Sequence, residues 1–153
     1  MILTPKPEEK PSEKPLTALT WTSPSHAHHS SSTPTIAVTF EDGKCYLLRN
    51  EEDRAPIRLR VPMTVWSADW SADGSKLAIG GRVRKTPTAP DESAQFSIYS
   101  PFGQLEYTIK LRYSRLTNLS WDSSGTRVAL LLDGTVNFLN IKYPVKVLYS
   151  MLY

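Results

Sequence analysis

Three histidines lie close enough together to suggest a metal site. His26, His28 and His29 are the only histidines in the chain, and they fall in the Ser- and Pro-rich stretch TSPSHAHHSSSTP. A zinc site requires a preorganised tetrahedral ligand set, and no fourth ligand stands at a useful spacing. We therefore interpret the three side chains as residues of a solvated loop, and we predict neither a metal nor a cofactor.

Nucleophilic and acid–base catalysis find no support in the remaining residues. No Gly-x-Ser-x-Gly motif occurs, and no histidine lies outside that loop to serve as a rigid base. Cys45 precedes Tyr46 in an apolar stretch and is predicted to be a small core residue. Asp42, Asp73 and Asp133 each precede a glycine, which turn chemistry explains fully. We predict no catalytic residue and no enzymatic activity.

One tight basic cluster remains, formed by Arg82, Arg84 and Lys85 at the start of RVRKTPTAPDES. The chain carries a formal net charge of +3, far from the dense basic stripe of a dedicated nucleic-acid binder. We interpret the segment 82–93 as a solvated loop. If it binds anything, a protein is favoured over nucleic acid, because no aromatic platform is interleaved with the charge.

The elements that surround these residues form a repeat. Trp21, Trp70 and Trp121 end three similar segments, LTALTW, VWSADW and LTNLSW, and follow one another after 49 (70 − 21) and 51 (121 − 70) residues. A turn and an aliphatic strand follow each tryptophan, directly in two copies and after a loop in the first. We expect the three tryptophans to pack one unit on the next. Trp66 breaks the repeat, and we expect it in the core, with a surface anchor for a partner as the alternative.

The repeating unit is four short strands, inferred from Asp-Gly turns and from period-two alternation, which marks a fourth strand in two of the copies. Four-stranded units at a period of about 50 residues are typical of propeller blades. The predicted fold is therefore all-β: a partial β-propeller of about three four-stranded antiparallel blades, with a serial β-sandwich as the alternative. The predicted segments are a disordered Pro/Lys/Glu-rich tail (1–15), blades at about 16–62, 63–112 and 113–143, and a truncated C-terminal segment (144–153).

Chain length conflicts with a closed ring, since 153 residues hold about three blades and a closed propeller needs at least about four. We expect a fragment, a truncated gene model or a divergent stub, stable only within a longer polypeptide or against a partner. The single cysteine fits a reducing compartment. No signal peptide is apparent, and the longest aliphatic run, Val128 to Leu132, is too short to span a bilayer. We predict an intracellular chain without a transmembrane segment.

Between Thr35 and Lys142 the sequence resembles a known family, the WD-repeat subunit of intraflagellar transport complex A, near the end of its N-terminal propeller region. The segments that carry the resemblance are IAVTFEDGKC (36–45), RNEE (49–52), YSPFG (99–103), LSWDSSGTRVAL (119–130) and FLNI (138–141). The most specific is the Tyr-x-Pro-Phe-Gly turn. A WD-repeat protein of the tubby group shares part of the pattern.

The resemblance implies a non-catalytic protein–protein interaction scaffold of the WD-repeat type. Its expected role is retrograde ciliary or flagellar transport and cilium assembly. Its expected partners are other subunits of intraflagellar transport complex A and ciliary membrane-protein cargo, and no nucleic acid. Its expected location is the cilium or flagellum, the ciliary base and the cytoskeleton-associated cytoplasm. The alternatives are a WD-repeat adaptor in a membrane coat or ubiquitin ligase, and an RNA-binding module.

Overall fold

The computed structural model contains strands and turns but no helix in the part of the chain that it describes. It describes residues 14–23, 32–83, 87–88, 92–141 and 146–149, the last for the backbone alone. The strands are β1 (Leu16–Trp21), β2 (Ile36–Phe40), β3 (Lys44–Leu48), β4 (Ile57–Arg60), β5 (Thr64–Trp70), β6 (Leu77–Val83), β7 (Ser93–Tyr99), β8 (Leu105–Lys110), β9 (Leu116–Trp121), β10 (Arg127–Leu132), β11 (Thr135–Ile141) and β12 (Lys146–Tyr149).

These strands form three separate antiparallel sheets of four strands each. Blade 1 is β1–β4, blade 2 is β5–β8 and blade 3 is β9–β12, with neighbours in sequence paired in every sheet. The all-β fold of about three four-stranded blades is confirmed. The backbone of β12 pairs with β11 from Phe138 to Ile141, which extends the third sheet to Tyr149. The sequence placed the end of that blade near 143, because the segment after it carries no clear turn signal.

Tight turns between the second and third strands use glycine where the backbone requires positive φ. Gly43 has a φ of 92° and Gly134 a φ of 83°, and both follow an aspartate. An L side chain is rarely accommodated at such angles, whereas glycine adopts them freely. The Asp-Gly pairs of the sequence therefore close the hairpins β2–β3 and β10–β11, as expected from their turn chemistry.

Most of the core lies between blades, and a third, smaller cluster of Ile36, Val38, Tyr46 and Leu48 lies within blade 1. Blades 1 and 2 share one apolar cluster and blades 2 and 3 share another. The first cluster includes Ala37, Cys45, Leu47, Val61, Met63, Val65, Ala68, Trp70, Leu77, Ile79 and Tyr99. The second includes Ala78, Ala94, Phe96, Ile98, Leu111, Leu116, Leu119, Val128, Leu130, Leu132 and Leu139. Because each blade buries side chains on its neighbour, the blades stabilise one another.

Gly43 is expected to be the least replaceable of these turn glycines. A Cβ at this position would lie 2.2 Å from the carbonyl oxygen of Val61, and the Val61 amide donates to the Gly43 oxygen at 2.7 Å. Gly43→Ala should therefore cost about 1–2 kcal/mol for positive φ and about 1–3 kcal/mol more for the backbone displacement. Chemical denaturation of the chain measures the loss in free energy of unfolding.

Gly134→Ala is the matched control for that substitution. Gly134 has a similar φ, yet nothing lies within 4 Å of its added Cβ. Only the backbone term, about 1–2 kcal/mol, is expected there. Equal losses for the two variants would contradict the close approach of the β2–β3 turn to the segment that connects blade 1 with blade 2.

Candidate functional site

The repeated tryptophans lie at the ends of the first strands, but only two of them pack against a described blade. Trp70 is 4% exposed and belongs to the cluster between blades 1 and 2, and Trp121 packs against the cluster between blades 2 and 3. Trp21 is 71% exposed. The predicted packing role is thus confirmed for Trp70 and Trp121 and wrong for Trp21, since the described residues provide no blade on that side of β1.

Asp69 links the first strands of all three blades. Its Oδ2 accepts a hydrogen bond from the Trp121 amide at 3.1 Å, and its backbone oxygen accepts one from Trp121 Nε1 at 3.0 Å. The hydroxyl of Thr20 donates to Oδ1 at 3.4 Å. Burial raises the pKa of the Asp69 carboxyl, and the bonds from Trp121 and Thr20 oppose that shift. The sequence did not single out Asp69, because its partners lie about one repeat away in either direction.

Two substitutions of Asp69 should distinguish the effect of its hydrogen bonds on stability from the effect of its charge. Asp69→Ala leaves the Trp121 amide unpaired at a half-buried position and should lower the free energy of unfolding by about 1–3 kcal/mol. Asp69→Asn keeps an acceptor oxygen and removes the desolvated charge. At about pH 7 we expect it to be at least as stable as the wild type, measured by chemical denaturation.

The pH dependence of that comparison follows from the raised pKa of Asp69. The folded protein binds the proton of the Asp69 carboxyl more tightly than the unfolded chain does. Its contribution to the free energy of unfolding is therefore fully present below the ordinary pKa and is lost as the pH rises through the raised pKa. As the pH falls from about 7 to about 4, the free energy of unfolding of the wild type should therefore increase relative to that of Asp69→Asn. A constant difference over that interval would contradict the shift.

One side of blade 1 exposes large apolar residues along β1. Leu16 and Leu19 are 54% and 61% exposed, and they lie on the same strand as Trp21. The equivalent residues of β9, Leu116 and Leu119, are 0% and 5% exposed because they pack on blade 2. We call Leu16, Leu19 and Trp21 the β1 face. It carries the side chains of a blade interface without a described blade against it.

Blade 3 carries a second apolar face on the side away from blade 2. Ala129 pairs with Phe138 and Leu131 pairs with Val136, so these four side chains share one side of the sheet. Val136 is 37% exposed and the other three are half-buried. Their counterparts in blade 2, which include Ala78 and Phe96, are fully buried against blade 3. We call the four residues the blade 3 face.

Trp66 lies at a β-bulge near the start of β5. The register between β5 and β6 shifts between Val65 and Ser67, and Trp66 is the residue without a partner across the strands. Gly81, the partner of Val65, permits the close approach: a Cβ there would lie 1.9 Å from the carbonyl oxygen of Thr64. A bulge redirects a side chain out of the strand alternation.

Two arginines contact the indole ring at this bulge. The Cζ atoms of Arg82 and Arg115 lie 5.3 Å and 5.6 Å from the centroid of the Trp66 ring. Arg82 Nη1 also pairs with Glu92 Oε2 at 2.7 Å, whereas none of the ion pairs among the described residues involves Arg115. We call Trp66, Arg82 and Arg115 the Trp66 cluster. Guanidinium groups at such distances make cation–π contacts.

The expectation of a core position for Trp66 is wrong, because the residue is half-buried and belongs to neither inter-blade cluster. The structure also corrects the view that no aromatic ring is interleaved with the basic residues at Arg82. Arg115 is 49 residues (115 − 66) from Trp66 in sequence, so their proximity has no local signal. Arg84 and Lys85 lie outside the described residues.

The remaining residues with potential chemistry have structural roles. Cys45 is fully buried, and burial raises the pKa of its thiol to about 12, so the core prediction for it is confirmed. Asp42 accepts from the Lys44 amide, Asp73 from Ser71 and Ser75, and Asp133 from Ser114. The turn interpretation is therefore confirmed for Asp42 and Asp73. Asp133 lies in its turn at a φ of 48°, but its carboxylate binds Ser114 in the β8–β9 connection.

His26, His28 and His29 lie outside the described residues. Within the described ranges, no group of three or more His, Cys, Asp or Glu side chains is placed to hold a metal ion. That same part of the chain contains no helix long and apolar enough to cross a bilayer.

A surface depression at the β3–β4 connection is organised by an internal ion pair. Arg49 donates to Asp53 from Nη2 at 2.6 Å and from Nε at 2.8 Å, and its amide adds a third bond at 2.9 Å. The Arg49 guanidinium holds the pKa of the Asp53 carboxyl well below its usual range. The pair satisfies its own charges and shapes the connection between the strands.

Comparison with known proteins identifies the family of this chain. The family model described as WDR35/TULP4 N-terminal, a β-propeller domain, matches residues 2–142. The chain belongs to this family. The family-level resemblance, which included the tubby group, is therefore confirmed, and the three blades are WD-repeat propeller blades.

Two relatives show the extent of the similarity. WD repeat-containing protein 35 of Rattus norvegicus is 32% identical over 113 residues, which cover 74% of this chain and 10% of that protein. Tubby-related protein 4 of Homo sapiens is 24% identical over 119 residues, which cover 73% of this chain and 8% of that protein. The chain thus spans about a tenth of the length of these members of the WDR35/TULP4 family.

Two solved propellers match this chain at low identity and low TM-score. The β-propeller domain of Myceliophteria thermophila Cps50 (Swd1) has a TM-score of 0.42 at 10% identity and is matched over 87% of this chain and 57% of its own length. The WD40 domain of Toxoplasma gondii coronin has a TM-score of 0.41 at 12% identity and is matched over 93% and 46%.

Proposed function

We propose that this chain is a non-catalytic scaffold segment that makes protein–protein contacts as part of an intraflagellar transport complex A subunit. The observation that carries the proposal is the match to the WDR35/TULP4 family over residues 2–142, together with 32% identity to WD repeat-containing protein 35. The segments YSPFG and LSWDSSGTRVAL, which carry the resemblance to the transport subunit, lie on the β7–β8 turn and along β9–β10.

Two features of the fold support a scaffold role. The β1 face and the blade 3 face present apolar side chains at opposite ends of the three-blade array, where further sheet or partner surface would bury them. The recurring carboxylates accept hydrogen bonds in turns and connections, and the Cys45 thiol is buried in the core. On this proposal the chain acts by holding surfaces in fixed positions rather than by chemistry.

The proposed partners are the other subunits of intraflagellar transport complex A, with ciliary membrane-protein cargo as a further class. The proposed locations are the cilium or flagellum, the ciliary base and the cytoskeleton-associated cytoplasm. The proposed process is retrograde transport and cilium assembly. These assignments rest on the family and on the resemblance of the named segments to the transport subunit.

Affinity purification of the endogenously tagged protein tests the proposal, with its size on a gel, its co-purifying proteins and its location in cells read together. Recovery of intraflagellar transport subunits and a signal at the ciliary base are expected. Recovery of membrane-coat or ubiquitin-ligase subunits without transport subunits would replace the ciliary assignment by that of another WD-repeat adaptor. RNA that co-purifies and is released by salt would contradict a purely protein-binding role.

A further inference from the structure

We propose that the Trp66 cluster is a docking site for an acidic peptide segment of a partner protein. The inference goes beyond the proposed function, since it names a surface and a ligand chemistry without requiring a particular assembly. It rests on three observations: an aromatic residue that the fold does not require, two guanidinium groups on its ring, and an internal carboxylate already bound to one of them.

The fold does not require a tryptophan at this bulge. Blades 1 and 3 have a bulge at the equivalent point of their first strands, between Leu16 and Ala18 and between Leu116 and Asn118. The bulged residues there are Thr17 and Thr117, which occupy the position of the repeat that Trp66 occupies in blade 2. Since threonine serves the same backbone conformation twice, the large ring in blade 2 calls for another explanation.

The glycine pair opposite the bulge is likewise peculiar to blade 2. Gly81 occupies the position held by Phe40 in blade 1 and Leu132 in blade 3. Its missing Cβ lets the β5 backbone approach β6 closely at the bulge. Trp66 and Gly81 thus depart from the repeat together at one point of one blade, where the chain builds a surface that the other blades lack.

The two arginines give this surface its ligand chemistry. A guanidinium that lies over an indole ring keeps its N–H edge free to donate, and that edge matches the two oxygens of a carboxylate. Arg82 already uses its edge in this way, since Nη1 binds Glu92 at 2.7 Å. Arg115 is exposed, and its side chain has no carboxylate partner among the described residues. Arg115 is therefore the group that a carboxylate from outside would bind first.

The same geometry favours a peptide over a nucleic acid. Single-stranded nucleic acids bind such surfaces by stacking bases on aromatic rings, which requires an accessible ring face. Here the Trp66 ring already carries two guanidinium groups, and the residue itself is half-buried. A carboxylate needs only the outer edges of the arginines and leaves these stacked contacts in place.

Nuclear magnetic resonance of the 15N-labelled full chain tests the site directly. The indole N–H signal of Trp66 is assigned by its loss in Trp66→Thr, which places the residue of the other two bulges at this position. The probes are a short peptide of alternating Glu and Ser, its Gln counterpart, inorganic phosphate and an oligouridine RNA. We expect the Trp66 signal to shift with the Glu peptide and to stay in place with the Gln peptide.

Binding constants for arginine variants provide the second measurement. Arg115→Ala should weaken Glu-peptide binding by about 2- to 5-fold, the range for an exposed ion pair, while Arg54→Ala should leave it unchanged. Arg54 is also exposed but lies in the β3–β4 connection, away from the Trp66 cluster.

Several outcomes would overturn the site. They are no shift of the Trp66 signal with the Glu peptide in the folded wild-type chain, equal effects of Arg115→Ala and Arg54→Ala, and a shift with RNA or phosphate alone. Each result leaves the proposed function untouched, because purification of the assembly does not depend on this cluster.

Discussion

Phe96→Ala should lower the free energy of unfolding by about 3–5 kcal/mol, the range for removal of a buried aromatic ring. Phe96 is 0% exposed and lies on β7 in the cluster between blades 2 and 3. Truncation removes contacts with both blades at once and leaves a cavity that neither rigid sheet can fill. Chemical denaturation of the full chain, followed by tryptophan fluorescence, measures the change.

Phe102→Ala controls for the residue type. Phe102 lies in the β7–β8 turn and is 52% exposed, so its truncation should change stability by no more than about 0.5 kcal/mol. A loss at Phe102 as large as that at Phe96 would contradict the assignment of the core to the surfaces between blades. A single transition that moves with Phe96→Ala would show that blades 2 and 3 unfold together.

The sequence predicted the strands and hairpins well because their signals are local. The Asp-Gly pair at Gly43 and the period-two alternation on β4 and β8 each act within a few residues, and the structure places turns and strands there. Cys45 was assigned to the core from its apolar neighbours, and that assignment is confirmed. The three similar segments that end in tryptophan, LTALTW, VWSADW and LTNLSW, made the blade count available from sequence alone.

Contacts between blades have no local signal, and there the predictions were incomplete. The bonds from Trp121 to Asp69 span 52 residues (121 − 69), and Arg115 contacts Trp66 from the connection between β8 and β9. Trp21 was grouped with Trp70 and Trp121 because the repeat makes them equivalent. Equivalent positions share burial only when each has a neighbouring blade. Comparison of bulge positions across repeats, threonine in two and tryptophan in one, was the one sequence signal that could have marked Trp66 as unusual.

Leu19→Glu should leave the stability of the chain alone nearly unchanged, but it should disrupt assembly in a longer polypeptide. Leu19 is 61% exposed on the β1 face, so in the chain alone the charge stays in water and should change stability by no more than about 0.5 kcal/mol. It should also reduce self-association, measured by sedimentation, because it interrupts an exposed apolar stripe. In the tagged full-length product, where the proposed function places a further blade or partner against this face, the same charge would be buried unpaired.

Leu105→Glu is the matched control for Leu19→Glu, because it places the same charge at a similarly exposed leucine outside the β1 face. Leu105 is 54% exposed, close to the value for Leu19, but it lies on β8, the outermost strand of blade 2. We expect Leu19→Glu to reduce recovery of co-purifying subunits by at least about 10-fold, since an uncompensated buried charge costs several kcal/mol. Leu105→Glu should have little effect. If both variants assemble like the wild type, the β1 face is solvent-exposed in the cell, and its leucines and tryptophan need an explanation other than a missing neighbour.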